Sequence, residues 1–288
     1  MIRPAALCLL LALPVHAQDA PGPFASYDGA TEAVLNDPHD LTIGPDGLLY
    51  VADKLAGEVA VFDPETLELV TRHGGGYLPQ VRDVSFAPDG RVAVSVTGLG
   101  AVLVYADAAG LAGDPVAVVR APGTEGGLLH SNGRVYVVAA GQLIGVRPGD
   151  DGEVLFGGLH PGAHDVAEGP DGSVWVADNA RGRLVRYDPE LTQMQVIEGL
   201  DYRFRGPRYM AFDEGGRIVV ADQESHRVLL IDPEAGPAGV LVGVLGTGEP
   251  GMGPDLFDDP EGVAVDGNRY FVSDSDNNRV VRYTVVTN

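Results

Sequence analysis

The 288-residue chain has one cysteine, Cys8, and one tryptophan, Trp175. A lone cysteine excludes an internal disulfide, so the stability of the fold has to come from burial. Basic residues are also scarce: 19 Lys and Arg stand against 41 Asp and Glu, a formal net charge of −22. A surface this negative repels phosphate backbones and anionic lipid, which argues against nucleic acid or a membrane surface as partners. No apolar run is long enough to cross ~30 Å of hydrocarbon. The run Ala5 to Pro14 follows Met1-Ile2-Arg3 and precedes Val15-His16-Ala17, the pattern of a signal peptide with a small-residue cleavage site. Cys8 falls inside it, and Leu7 stands where a lipoprotein anchor needs a small residue. We therefore expect residues 1–17 to be a signal peptide and 18–288 a thiol-free domain, periplasmic or secreted. The expected partner is a small-molecule or peptide ligand, and the expected state a monomer.

Sustained 3.6-residue periodicity is missing too, and 40 Gly with 21 Pro punctuate the chain, so helices should be almost absent. What is present is a repeat. Six segments align, namely 38–53, 81–96, 124–139, 163–178, 207–222 and 260–274. Their turn dipeptides begin at Asp46, Asp89, Asn132, Asp171, Gly215 and Asp266, spaced 43, 43, 39, 44 and 51 residues apart. A period near 40–50 residues is that of propeller blades. Each unit reads as a short strand A, a glycine turn, a fully apolar strand B such as Leu49–Ala52, a strand C such as Val59–Phe62 and a more polar strand D such as Leu67–Thr71. A strand apolar on both faces belongs in a sheet packed between two neighbours. The fold predicted is all-β: a six-bladed β-propeller of four-stranded antiparallel blades. Because the chain ends just after a sixth strand C, the missing strand is expected from the N-terminal side, at Ala30–Leu35, closing the ring and removing the sheet edges.

The phrases Gly246-Thr-Gly-Glu-Pro-Gly-Met-Gly, Phe257-Asp-Asp-Pro-Glu-Gly-Val-Ala-Val-Asp266 and Tyr270-Phe-Val-Ser-Asp-Ser-Asp-Asn-Asn-Arg-Val280 resemble NHL repeats. Gly169-Pro-Asp-Gly-Ser-Val-Trp-Val-Ala-Asp178 is similar to the repeats of streptogramin (virginiamycin B) lyases. This resemblance implies metal-assisted elimination or lactone hydrolysis on a small ligand, with a divalent ion, zinc, calcium or magnesium, as cofactor. Propellers host many activities, so a non-catalytic propeller that binds a peptide, a glycan or a protein stays open beside it.

Two columns of the repeat carry chemistry. Four blades end strand B with Asp and place a charged residue five positions later: Asp53/Glu58, Asp178/Arg183, Asp222/Arg227 and Asp274/Arg279. Recurrence in four blades points to local turn chemistry rather than to one converging site. The residue opening strand A runs His39, Arg82, Glu125, His164, Arg208, Glu261, so His-Arg-Glu occurs twice in order. Strand A is innermost in a propeller, so this column should ring one mouth of the channel. It is read either as a ligand or metal site at a concave mouth or as a plug of charged pairs. In the site reading His39, His164, Arg82, Arg208 and Tyr209 are the catalytic candidates, and His39, His164, Asp40 and Asp165 the metal ligands. Glu125 and Glu261, with Tyr202, Arg203 and Arg205 from the loop before strand A of blade five, are the ligand-binding candidates. His160 and His226 fall in loops of the same mouth, where solvent exposure is expected. No Gly-x-Ser-x-Gly elbow occurs.

Overall fold

The A–B turns follow from their glycines: Gly47, Gly90, Gly133, Gly172, Gly216 and Gly267 all have φ between 59° and 89°, where a Cβ would be strained. On either side of each turn the chain is extended. The computed structural model describes residues 24–149 and 153–286, and the signal-peptide reading of 1–17 lies outside them. It shows six four-stranded antiparallel sheets, each pairing strands in the order A-B-C-D. Blade one is Pro38–Ile43, Leu49–Asp53, Glu58–Phe62 and Leu69–His73. The other strands A are Val81–Phe86, Thr124–Leu129, Asp165–Glu168, Pro207–Phe212 and Pro260–Asp266. Helical segments among the described residues are five short 3-10 turns, and no helix there is long and apolar enough to cross a membrane.

Strand B explains how the blades hold together. Leu49 and Val51 enter the core between blades six and one, whereas Tyr50 and Ala52 enter that between one and two. Alternate side chains of one strand thus serve opposite interfaces, each buried Leu or Val contributing roughly 1.5–3 kcal/mol.

The closing strand differs from the expectation. It is Phe24–Ala30, paired with Arg279–Val286 from Phe24 against Val286 to Ala30 against Val281. Ala30–Leu35 was the wrong segment because strand C of blade six runs on to Val286 and takes its partners from further upstream. Beyond Ala30, Thr31 ends the ladder by exchanging hydrogen bonds with Val280, and Leu35 turns into the core.

Strand A is bulged at its mouth end in five blades, with register breaks at Pro38/Leu41, Val81/Asp83, Thr124/Gly127, Pro207/Met210 and Pro260/Val263. These breaks coincide with the His-Arg-Glu column, and a bulge re-aims the side chains it carries. The strands also crowd here: a Cβ on Gly126 would lie 2.1 Å from His164 O, and one on Gly262 2.3 Å from His39 O. Neither glycine has positive φ, so the requirement is space alone. Gly262→Ala is expected to cost about 3 kcal/mol or more, measured by denaturant unfolding. Wild-type stability would refute the close approach of blades six and one.

Candidate functional site

The six column residues form a charged ring at the channel mouth. Glu261 Oε1 accepts from Arg208 Nη2 at 2.7 Å, and its Oε2 lies 2.9 Å from His39 Nδ1. Glu125 Oε2 stands 3.2 Å from Arg82 Nη1 and 3.5 Å from His164 Nδ1. The ring is therefore two copies of one unit, an Arg from the preceding blade and a His from the following blade on a central Glu. His164 also faces Arg82 Nη1 at 3.4 Å.

The two units differ in access. His39 and Glu261 are sealed, with side chains 0% and 2% exposed, while His164 and Glu125 keep 17% and 29%. Burial alone would raise the Glu261 carboxyl, but His39 and Arg208 beside it bring it down to about 2. Burial, together with Arg208 and Arg82, holds the His164 imidazole below its ordinary range against the pull of Glu125. His164 is thus neutral at pH 7, a base within reach of solvent. Three buried ring nitrogens make no hydrogen bond: His39 Nε2, Arg82 Nε and Arg208 Nε. Such atoms are rare in native proteins and mark positions poised for a ligand.

The adjoining column has a different role. Asp40 Oδ2 accepts from Val84 N–H at 3.3 Å, Asp83 Oδ2 from Gly127 N–H at 2.8 Å and Asp165 Oδ2 from Met210 N–H at 2.8 Å. These carboxyls stitch each strand A to the next and line a channel cavity of about 320 Å³. Burial pushes Asp83 up to about 7, and burial with mutual repulsion pushes Asp40 and Asp165 well above the carboxylate range. Asp40 and Asp165 are therefore not brought to the ring as metal ligands with His39 and His164. Consecutive residues of a strand point apart, and His39 gathers with Asp37 and Glu261 instead. Tyr209 is fully buried with its OH 3.5 Å from His39 Nδ1. Burial and the nearby Glu261 and Asp83 raise its phenol well above 10, so it keeps its proton and serves as a donor.

The loop before strand A of blade five is placed differently from the expectation. Tyr202 is buried, stacks on Phe204 at 5.5 Å and donates to Ala238 O at 2.7 Å, so it packs blades rather than contacting a ligand. Arg203 and Arg205 are exposed, and Arg203 Nε donates to Leu200 O. His160 is also a correction: it is 1% exposed, between Asp178 Oδ2 at 2.9 Å and Tyr187 OH at 2.7 Å. His226 is half-buried near Asp258.

The strand-B aspartates are turn residues. Asp222 Oδ1 accepts from the N–H groups of Arg205 and Gly206, and its Oδ2 from Arg227. Asp274 takes Asp258 N–H and Arg279 in the same way, and in blade four Asp178 Oδ2 meets His160, Arg181 and Arg183. In blade one, Asp53 and Glu58 share Arg72. The residue missed from sequence is Asp37, whose Oδ1 lies 3.4 Å from His39 Nε2; its position two residues before the ring column was the available signal.

The fold is that of a six-bladed β-propeller with four-stranded antiparallel blades. The NHL repeat family matches residues 257–283. A gluconolactonase of Zymomonas mobilis is 30% identical over 94 residues, which is 31% of this chain and 26% of that protein. Among solved structures, a catalytically inactive virginiamycin B lyase from Staphylococcus aureus with quinupristin shares 12% identity at a TM-score of 0.60, over 92% of this chain and 100% of that one. An auxiliary nutrient binding protein from Bacteroides ovatus shares 18% at a TM-score of 0.68, over 87% and 69%. At such identities these structures establish a common fold and nothing finer.

Proposed function

We propose that the protein is an exported propeller that takes a small carboxylate- or carbonyl-bearing molecule at the open side of the ring and removes a proton, from the molecule itself as a lyase or from an attacking water as a lactone hydrolase. The observation that carries this reading is the neutral, solvent-reachable His164 set between Arg82 and Glu125. A neutral imidazole is the base that proton abstraction at pH 7 requires. The partnerless Nε donors of Arg82 and Arg208 suit an anionic group and the charge that develops on it. Glu125 then steadies the imidazolium, and the leaving oxygen or nitrogen takes its proton from His164. A divalent ion, where bound, would supply Lewis acidity at a carbonyl oxygen. The similarities to a gluconolactonase and a virginiamycin B lyase make a sugar lactone and quinupristin the first substrates to assay.

His164→Gln is expected to lower kcat by roughly 10²–10⁴ with little change in melting temperature. Arg208→Ala should raise KM as well, by weakening the hold on the anion. The closed Arg–Glu–His pairing also favours a second reading, a binding propeller whose ring is a plug. Under that reading the wild type turns nothing over and His164→Gln lowers stability instead.

A further inference from the structure

We propose that Asp37, His39 and Glu261 form a site for one divalent cation of the zinc or manganese kind, in the gap between blades six and one. One ligand atom from each lies within 4.8 Å of the other two, so a slight closing of the side chains brings all three within the ~2.0–2.3 Å of one ion. Each carboxylate has one oxygen fixed by a cation and the other turned toward the imidazole. Lys54 Nζ holds Asp37 Oδ2 at 2.6 Å, leaving Oδ1 facing His39 Nε2 at 3.4 Å. Arg208 Nη2 and Gln223 Nε2 hold Glu261 Oε1 at 2.7 and 3.1 Å, leaving Oε2 on the His39 side. Outer partners that orient ligands in this way are a mark of metal sites.

Two further observations point to an ion. His39 Nε2, on a side chain 0% exposed, is buried and makes no hydrogen bond. A cavity of about 380 Å³ adjoins them, and its wall carries Asp37, Asp259, Glu261 and Asp276 against Lys54 and Arg208, two formal negative charges in excess. The cavity has room for the waters that complete a coordination shell, and mixed imidazole and carboxylate donors select a transition-series ion over calcium or magnesium.

The inference does not rest on the proposed reaction. Chelator-stripped protein is titrated with Zn²⁺ and Mn²⁺ by calorimetry, and its melting temperature is followed with and without metal. One ion per chain and a metal-dependent rise in melting temperature are expected. Asp37→Asn should weaken binding at least tenfold, and Asp165→Asn should leave it within about twofold. Because Glu261→Gln also disturbs Arg208, the deciding variant is Asp37→Asn, whose side chain is 25% exposed in the wild type. Absence of binding by the wild type up to about 1 mM metal, or wild-type affinity in Asp37→Asn, would overturn the site. A protein that binds the ion yet turns over no substrate keeps this site and loses the reaction.

Discussion

Removal of residues 18–30 is expected to abolish cooperative unfolding of the whole domain. Phe24–Ala30 is strand D of blade six, and its six paired positions against Arg279–Val286 are the bond that closes the ring. Without it strand C of that blade becomes an open edge. Val281, Tyr283 and Val285, which are buried with Ala25 and Ala30 packed against their cluster, would meet water. Thr284 would lose Asp28, and Tyr283 its edge contact with Tyr27 at 5.8 Å. Six lost backbone pairings at ~1 kcal/mol each come to about 6 kcal/mol before any apolar exposure, against a total stability of roughly 5–15 kcal/mol for a native domain. Thermal unfolding followed by circular dichroism checks this, and a truncated protein that melts like the full one would show that closure lies elsewhere.

What was legible in the sequence was what repeats. Blade positions, turn glycines and the charged ring each recur six times, so chance apolar runs could not imitate them. The misread closing strand occurs once. Nothing local distinguishes Phe24–Ala30 from the segment after it, because its partner Arg279–Val286 lies some 250 residues away and its length decides the register. His160 was misread for a related reason. A histidine in a loop looks exposed until the fold brings Asp178 and Tyr187 to either side of it. Asp40 and Asp165 stand on strand A as expected, but consecutive residues of a strand point apart, so they turn into the channel to accept from Val84 and Met210 N–H and not toward the ring with His39 and His164. Asp37 belongs to the loop before the strand, outside the aligned column, and joins His39 and Glu261 only when blades one and six meet.

The column that was misdirected has the larger consequence for stability. Asp40, Asp83 and Asp165 are three carboxyls inside one channel, with Asp83 raised to about 7 by burial and the other two raised well above the carboxylate range by burial and by neighbouring carboxyls. The sign follows from proton uptake. A carboxyl whose folded pKa exceeds its unfolded value of ~3.9 binds more protons in the native state, so its contribution is complete below pH ~4 and is lost as pH rises through the folded value. For Asp83 that window runs from about 4 to about 7, and Asp40 and Asp165 act in the same sense. Asp53, raised to about 6 by burial, acts in the same sense. Glu261, lowered to about 2, acts oppositely: its contribution is present above its unfolded pKa and disappears only as pH falls toward 2. His164, held low, also opposes the trend below about pH 6.5, but it is one imidazole against several carboxyls. Unfolding free energy should therefore be greatest near pH 4 and fall from there through pH 5 toward pH 8, with Asp83 alone worth on the order of 4 kcal/mol across its window. Asp83→Asn keeps an oxygen for Gly127 N–H and removes the titration. Its stability should vary less between pH 5 and 8 than that of the wild type, and should exceed it at pH 8. Denaturant titrations at the two pH values decide the matter: a wild type equally stable at both, or a variant with an undiminished slope, would mean that the channel carboxyls ionise without cost.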